Sequence, residues 1–230
     1  MASDDVLIIT GASTGIGAAT ARAAASDGYR LVLAARSADK LEALAQELGG
    51  SERAIAVPTD VTAWPENEAL VKAAVDAFGQ VDAIFANAGF GAARGWLEES
   101  PEQWRDMVLT NVLGAAYTVR AAIPALKESR GHVFLTGSVA GRRPLPGSLY
   151  SATKFAVHAM GEAIRADLND TGIRTTIIAP GMVETPFFDD KPSIEALQPE
   201  DVAAAVMYAI SQPRRVDVNE ILVRPTAQPG

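Results

Sequence analysis

Tyr150 and Lys154 stand four residues apart, and Ser138 lies twelve residues before Tyr150. On a helix, a spacing of four places two side chains on one face, within reach of each other. An ammonium group beside a phenol lowers the pKa of the phenol, so that Tyr150 would exchange a proton near neutral pH. Ser138 follows an apolar run, which predicts its hydroxyl at the carboxyl end of a strand, where open α/β sheets place their chemistry. The same spacing is also typical of an exposed helical turn.

A glycine-rich segment, Thr10–Gly17, joins the first apolar run to the first stretch of helical periodicity. In such a turn Gly11 permits the tight bend, Gly15 lets the backbone approach a pyrophosphate, and Gly17 lets helix and strand pack closely. The free amides at the helix N-terminus would then face the anion. The alternative is a β–α turn whose glycines serve geometry alone. The predicted cofactor contacts of this segment are Gly11, Ser13, Thr14, Gly15 and Ile16.

Arg36 follows the second apolar run, Arg30–Ala35, directly. Dinucleotide folds choose their cofactor here: a carboxylate binds the ribose hydroxyls of NAD, whereas an arginine accommodates the 2′-phosphate of NADP. The last position of the run holds no carboxylate, and a guanidinium binds phosphate through paired, charge-assisted hydrogen bonds. The sequence therefore predicts NADP(H) rather than NAD(H). The alternative is an arginine that caps exposed loop carbonyls.

Two further short segments follow the third and fourth apolar runs. Asp60 and Val61 offer a carboxylate and an apolar side chain to the amino group and the face of an adenine. Asn87, Ala88 and Gly89 form a turn whose amide and missing side chain allow close backbone approach. An ordinary Asn/Gly turn explains that segment equally well.

Composition excludes several classes of protein. Of the 230 residues 48% are hydrophobic and 21% charged, which is typical of a globular chain. The net charge is −8 and no basic cluster occurs, so we expect no nucleic-acid or membrane partner. Without cysteine, disulfides and thiolate chemistry are excluded, and two distant histidines, His132 and His158, make a metal site improbable. The first residues lack a basic signal region, which favours a cytoplasmic location.

Two periods of hydrophobicity alternate along the chain. Short continuous apolar runs, typical of strands buried on both faces, occur at 6–10, 30–35, 54–57, 81–86, 133–136, 174–179 and 220–223. Stretches of helical spacing occupy 15–27, 38–48, 66–78, 101–128, 150–171 and 199–212. This alternation predicts an α/β fold, a doubly wound, seven-stranded parallel sheet with helices on both faces.

These motifs together resemble the short-chain dehydrogenases/reductases over nearly the whole chain. The matching positions are Thr10-Gly-x-x-x-Gly-x-Gly17, Asp60-Val61, Asn87-Ala-Gly89, Asn111, Ser138, Tyr150-x-x-x-Lys154 and Pro180-Gly181. The resemblance implies a single Rossmann-type domain over residues 1–230, a nicotinamide cofactor, and a homodimer or homotetramer. Arg36 is similar to the basic residue of the NADP-preferring members.

The resemblance also implies a role for each matching position. Tyr150 would be the general acid/base on the substrate oxygen, and Ser138 would hydrogen-bond the same oxygen. Lys154 would bind the nicotinamide ribose and lower the pKa of the tyrosine. Asn111 would hold a water that connects Lys154 to solvent. The nicotinamide end of the cofactor would be held by Pro180, Gly181, Val183 and Thr185, with Thr185 on the carboxamide.

The signal for the substrate is weaker. Residues 182–198 form a short segment that the family usually closes over its substrate. Phe187 and Phe188, beside Pro186 and Pro192, would form the apolar part of this lid. The two phenylalanines are equally suited to packing on the sheet or on a partner subunit. Candidate partners for a substrate carboxylate are Arg94, Arg142 and Arg143, although arginines more often lie in solvent or at an interface. The tail after Val223 is expected on the surface or at a subunit contact.

We therefore expect an oxidoreductase that transfers a hydride between NADP(H) and a small carbonyl or alcohol. The C-terminal pattern 212–228 is similar to NADP-dependent 3-hydroxy acid and serine dehydrogenases, which gives a first alternative. A non-catalytic NADP(H)-binding regulator is a second. On the helix at 150–171, Phe155, Ala156, Ala159 and Ala163 suit either the usual dimer contact of the family or packing within the chain.

Overall fold

The computed structural model describes residues 4–91, 93, 95–185 and 194–228. Its centre is a seven-stranded sheet in the order β3-β2-β1-β4-β5-β6-β7, and every neighbouring pair of strands is parallel. The strands are β1 (Val6–Thr10), β2 (Arg30–Ala35), β3 (Ala54–Pro58), β4 (Ala83–Ala86), β5 (His132–Thr136), β6 (Arg174–Pro180) and β7 (Glu220–Val223). The predicted fold class is confirmed.

Helices connect the strands in the alternation that the sequence predicted. They are α1 (Gly15–Ser26), α2 (Ala38–Glu47), α3 (Trp64–Phe78), α4 (Pro101–Val108), α5 (Ala115–Ser129), α6 (Leu149–Asp167) and α7 (Pro199–Ile210). Short 3₁₀ turns occupy Gly50–Glu52, Val139–Gly141 and Asn169–Thr171.

Two apolar cores lie on the two faces of the sheet. On one face, α1, α2 and α7 cover side chains such as Leu7, Leu33 and Phe85; on the other, α3, α5 and α6 cover Ile8 and Leu135. The central strands are buried on both sides, which explains why they appear in the sequence as continuous apolar runs rather than alternating ones. This packing fixes the carboxyl ends of the strands along one edge.

The stretch 101–128, predicted as one helix, contains an irregular segment. Between α4 and α5 the backbone forms a π-helical segment, Leu109–Gly114, and Pro124 lies inside α5. A π segment inserts an extra residue into a turn and shifts side chains around the axis, and such segments are frequent at functional sites. Asn111 lies within this segment and is buried.

The tail, expected on the surface or at a subunit contact, is only partly exposed within the described residues. Pro225 is buried, and the Oε1 atom of Gln228 accepts a hydrogen bond from the Met182 amide at 3.0 Å. The tail therefore packs against the loop that follows β6. Within the described part of the chain, none of the helices combines the length and the apolar character needed to cross a membrane.

Candidate active site

A cleft of about 550 Å³ opens at the carboxyl ends of the strands. It is lined by every residue predicted to contact the cofactor or the substrate oxygen, whereas Asn111, predicted to hold a water, does not line it. The lining residues that the sequence did not indicate include Phe90, Thr110, Thr136, Leu145, Met182 and Gln228. The cleft lies over β1, which has β2 on one side and β4 on the other; the strand order reverses at this point, and open α/β sheets bind their ligands there.

The glycine-rich turn forms one wall of the cleft. Gly11 and Gly15 have φ values of +65° and +54°, and a Cβ atom on Gly17 would overlap the Gly11 carbonyl oxygen. Thr14 is the N-cap of α1 but makes no capping hydrogen bond with its side chain, and the first turn of α1 carries no acidic residue. The amides at this helix end therefore fit the pyrophosphate of a dinucleotide.

Asn87 ties three strand ends together at the floor of the cleft. Its Nδ2 atom donates to the Thr10 carbonyl at 3.0 Å, and its Oδ1 atom accepts from the Thr136 hydroxyl at 3.0 Å. The Thr10 hydroxyl in turn accepts from the amides of Asn87 and Ala88. Asn87 thus does more than form a turn, because its hydrogen bonds fix the ends of β1, β4 and β5 relative to one another at the floor of the cleft.

Ser138 lies at the first turn after β5. It is 7% exposed; its Oγ atom accepts from the Ala140 amide at 3.1 Å and lies 3.4 Å from the Pro180 carbonyl oxygen. Ser138 and Tyr150 also share a side-chain hydrogen bond. The two hydroxyls that the sequence assigned to one substrate oxygen are therefore adjacent in the fold.

Tyr150 and Lys154 lie on the first turns of α6, as predicted. The Lys154 ammonium is nearly buried, donates to the Thr136 carbonyl at 2.7 Å, and lies 5.5 Å from the centre of the Tyr150 ring. Burial raises the pKa of Tyr150 to about 12, which the hydrogen bond with Ser138 opposes, and burial lowers the pKa of Lys154 to about 8. The expected lowering of the tyrosine pKa by Lys154 is thus not found in this geometry: burial raises that pKa, and the opposing contribution comes from the Ser138 hydrogen bond.

Asn111 lies behind the cleft rather than in its wall. Only 2% exposed, its side chain accepts from the Phe90 amide at 3.0 Å and donates to the Phe90 carbonyl at 2.9 Å and to the Thr153 hydroxyl at 3.2 Å. A Cβ atom on Gly89 would lie 2.9 Å from Asn111 Oδ1. Asn111 therefore fixes the loop after β4 against α6.

The far end of the cleft carries charges suited to an adenosine phosphate. Arg36 is exposed at the end of β2, and its positive charge helps to lower the pKa of the Asp60 carboxyl. The larger cause of that lowered pKa is the amide of Thr62, which donates to Asp60 Oδ1 at 2.9 Å, as its hydroxyl does at 2.8 Å. Asp60 is thus held as a carboxylate, and Val61 lines the same wall.

The segment after β6 closes the nicotinamide end of the cleft. Pro180, Gly181, Val183 and Thr185 line it, and Val183 forms a bridge with Leu197. Of the predicted substrate lid, 182–198, the central part 186–193 lies outside the described residues, and with it Pro186, Phe187, Phe188 and Pro192. No signal in the sequence indicated that Gln228 would join this wall.

The arginines considered for a substrate carboxylate do not line the cleft where they are described. Arg142 forms a two-point ion pair with Glu220 at the start of β7, with Nε to Oε1 at 3.0 Å. Arg143 is exposed and also lies outside the cleft lining. Arg94 lies outside the described residues. Arg36 is the one arginine among the described residues that line the cleft.

Comparison with known proteins shows extended sequence similarity. A family profile described as short chain dehydrogenase matches residues 5–195. Among curated proteins, an uncharacterized oxidoreductase from Staphylococcus haemolyticus is 44% identical over 225 residues, which cover 96% of each chain.

Solved structures give the same picture. An alcohol dehydrogenase from the archaeon Thermococcus sibiricus, complexed with 5-hydroxy-NADP, is 34% identical with a TM-score of 0.90 and covers 98% of both chains. Serine dehydrogenase from Escherichia coli is 29% identical (TM-score 0.88; 98% of this chain, 100% of that one). A 3-ketoacyl-(acyl-carrier-protein) reductase from Brucella melitensis, complexed with NADH, is 30% identical (TM-score 0.88; 97% and 98%). Relatives of both cofactor types therefore share this fold.

Proposed function

The chain belongs to the short chain dehydrogenase family, and we propose that it transfers a hydride between NADP(H) and a small carbonyl or alcohol, with Tyr150 as general acid/base. Membership of the family establishes an NAD(P)-dependent oxidoreductase. The observation that carries the proposal is that Ser138, Tyr150 and Lys154 are adjacent and line the same cleft as the glycine-rich turn. An acid for the substrate oxygen and a binding site for a dinucleotide therefore share one cleft.

A bound nicotinamide supplies the hydride in this chemistry. The task of the protein is to hold the carbonyl in line and to protonate its oxygen as negative charge develops there. Tyr150 is protonated at neutral pH, because burial raises its pKa to about 12, so it is in the state required to donate to that oxygen. Ser138 donates a second hydrogen bond to the same oxygen. In the oxidation direction the phenol first passes its proton to the lysine relay behind it, and the resulting phenolate then takes the proton of the alcohol.

Lys154 and Asn111 act behind the tyrosine. The Lys154 ammonium, held on the Thr136 carbonyl, is within reach of a ribose hydroxyl in the cleft. With a pKa of about 8 it also loses a proton readily, so it suits a relay toward Tyr150. Asn111 holds this part of α6 in place, because it donates a hydrogen bond to the hydroxyl of Thr153, the residue before Lys154. We assign Asn111 to that positioning role and to the water of the relay.

NADP(H) is the proposed cofactor because of Arg36. Its guanidinium lies at the exposed end of the cleft, next to the strand position that an NAD-specific protein fills with a carboxylate. The glycine-rich turn, Asp60, Val61 and the 87–89 turn would hold the rest of the nucleotide. The 5-hydroxy-NADP complex of the archaeal relative favours the same assignment, and the NADH complex of the bacterial reductase shows that it needs a test.

A 3-hydroxy acid or serine-type substrate is the second candidate. It rests on the likeness to serine dehydrogenase over 98% of this chain. A carboxylate substrate requires a nearby cation, and Arg142, which is paired with Glu220, does not supply one. The described part of the cleft therefore favours a neutral carbonyl or alcohol.

The proposal is tested by NADPH consumption across a panel of aldehydes, ketones and β-keto acids, with NADH in parallel. NADPH deuterated at C4 identifies the acceptor, because deuterium then appears on the carbinol carbon of the product by mass spectrometry. We expect transfer to at least one neutral carbonyl. NADPH binding without deuterium transfer to any compound would contradict the assignment in favour of the non-catalytic regulator.

Arg36→Ala tests the cofactor. Loss of a charge-assisted pair with phosphate is expected to weaken NADPH binding by roughly ten- to a hundredfold and to leave NADH binding nearly unchanged. Fluorescence titration of the reduced nicotinamide measures both affinities. Lys40→Ala is the matched control, because it removes one positive charge from an exposed position on α2 outside the cleft lining. Equal affinities of Arg36→Ala and wild type for NADPH would remove the assignment.

A further inference from the structure

His158 lies one turn after Lys154 on α6, is 4% exposed, and has no part in the chemistry described so far. Its ring fills the space beside Gly137 and Gly141, two glycines around Ser138. A Cβ atom on Gly137 would lie 2.6 Å from His158 Nε2, and one on Gly141 would lie 2.5 Å from His158 Cδ2. The turn that presents Ser138 is therefore built directly against the imidazole.

The hydrogen bond between them specifies the protonation state of the ring. The Ser138 amide donates to His158 Nε2 at 3.4 Å, so Nε2 must carry a lone pair. The proton of the neutral ring is then on Nδ1, which faces Glu220 Oε1 at 3.7 Å. Arg142 holds Glu220 in place from its other side. A chain of contacts thus runs from Arg142 through Glu220 and His158 to the backbone of Ser138.

We propose that neutral His158 is a positioning residue for the reaction: its Nε2 lone pair holds the Ser138 amide and so fixes the hydroxyl that contacts the substrate oxygen. This inference rests on the proposed function, since it assigns a support to one of its residues. A second proton on Nε2 turns the acceptor into a donor and sets it against the Ser138 N–H. Protonation of His158 therefore displaces the Ser138 turn.

The surroundings of the ring, chiefly its burial, keep His158 neutral at physiological pH. Burial is the main cause that lowers the pKa of His158, and the cations Arg142 and Lys154 act in the same direction. Glu220 raises it, whereas the Ser138 amide, which donates to the Nε2 lone pair, favours the neutral ring. With a folded-state pKa below the usual 6.5, the ring protonates only as the pH falls below that value. Activity that depends on Ser138 is then lost on the acid side, through the titration of this one ring.

The other histidine of the chain offers an internal control. His132, at the opposite end of β5, is 1% exposed, and its Nε2 atom lies 2.7 Å from Thr176 Oγ1. That hydroxyl donates its single hydrogen to the Val218 carbonyl at 2.6 Å, so it accepts from His132 Nε2–H. The structure thus predicts opposite tautomers: Nδ1–H for His158 and Nε2–H for His132.

Long-range ¹H–¹⁵N NMR of the two rings tests the assignment without any substrate. We expect one ring of each tautomer at neutral pH, assigned with His158→Gln and His132→Gln. We also expect the Ser138 amide resonance to move with the titration of His158. An Nε2–H tautomer for His158, or a Ser138 amide that does not respond to its titration, would overturn the proposal whether or not a substrate has been found.

Two variants carry the test to turnover. Glutamine reaches the Nε2 position with an acceptor that does not titrate, so His158→Gln is expected to keep most of the turnover and to lose the acid limb of the pH profile. His158→Leu fills similar space without an acceptor and is expected to lower kcat by up to about a hundredfold with little change in KM for NADPH. His132→Gln should keep the acid limb. Equal pH profiles for His158→Leu and wild type would also overturn the proposal.

Discussion

Burial shifts Tyr150 and Lys154 toward their neutral forms. For the tyrosine this gives the protonated phenol that a general acid needs, with a pKa of about 12. For the lysine it means that the folded chain holds an ammonium in a site that disfavours it, since the pKa falls to about 8 from the usual 10.5. The folded chain therefore carries a charge that costs stability, at the position proposed to contact a ribose hydroxyl beside the phenol.

Lys154→Met is therefore expected to stabilise the protein while abolishing turnover. Removal of the desolvated charge is expected to raise the free energy of unfolding by on the order of 1–3 kcal/mol at neutral pH. Loss of the hydrogen bond to the Thr136 carbonyl reduces this gain. In wild type the unfolded chain binds more protons between pH 8 and 10.5, so stability rises with pH through that window, and the variant should lose this rise.

Urea unfolding at several pH values measures both effects. The exposed Lys40 gives the control Lys40→Met, which should change neither the stability nor its slope against pH. A lower stability of Lys154→Met at neutral pH would show that the ammonium is a net stabilising group.

At this scale the sequence predicted which side chains meet, because a spacing of four on a helix is a geometric rule. It did not predict the direction of the tyrosine pKa. That direction depends on how deeply the phenol is buried and on where the ammonium points, and the second is set by the Thr136 carbonyl on another element. His158 was seen only as one of two histidines unsuited to a metal site, since nothing in its spacing indicates Gly137 and Gly141 around its ring.

At the scale of the elements, the junction of β1 and α1 leaves no room for a side chain at Gly17. A Cβ atom on Gly17 would overlap the Gly11 carbonyl oxygen and would lie 2.9 Å from Asn87 Nδ2. Helix α1 can approach the sheet and aim its amides into the cleft only while this position lacks a side chain. The contacts of the turn thus depend on backbone geometry rather than on any functional group.

Gly17→Ala is expected to weaken NADPH binding at least tenfold, because its methyl group forces α1 away from the turn and misaligns the amides that bind the pyrophosphate. Ala23→Gly is the control on the same helix. It costs about 1 kcal/mol of stability through helix propensity and leaves the turn intact. Isothermal titration with NADPH, on variants shown to be folded by circular dichroism, separates the two. Unchanged affinity in Gly17→Ala would contradict the role given to the turn.

The sequence predicted the strands and most helices closely, since parallel strands buried on both faces leave an unambiguous pattern. Strands β1, β2 and β7 have the predicted bounds, and the other strands differ by one or two residues at an end. The π segment Leu109–Gly114 was missed because an extra residue in one turn barely alters helical periodicity. Asn111 lies within that segment and is buried behind the cleft.

On the scale of the whole molecule, the strand order brings segments distant in sequence to one edge. Gln228 reaches Met182 across 46 residues and completes the nicotinamide end of the cleft. Local sequence carries no signal for such a contact, because Gln228 lies in a polar tail with two prolines. The contact makes Gln228, at a distant point of the sequence, part of the site.

One face of the molecule is suited to a second copy of the chain. On α6, Phe155 is 42% exposed, and the small residues Ala159 and Ala163 are also exposed; Val108 at the end of α4 and Leu113 in the π-helical segment add exposed apolar side chains on elements that contact α6. We predict a homodimer or homotetramer through this face. Sedimentation velocity should show a smaller species for Phe155→Glu, whereas Val75→Glu, on an exposed apolar position of α3, should leave the assembly unchanged. A wild-type monomer would contradict the prediction.

The most direct test of the central claim is the turnover of Tyr150→Phe with NADPH and the best carbonyl substrate, measured beside its affinity for NADPH. Removing one hydroxyl leaves the packing of the ring and deletes the acid. We predict a fall in kcat of about 10²–10⁴-fold or more, with NADPH affinity nearly unchanged. A variant that reduces the carbonyl at close to the wild-type rate would contradict the assignment of Tyr150 as the acid and, with it, the proposed mechanism.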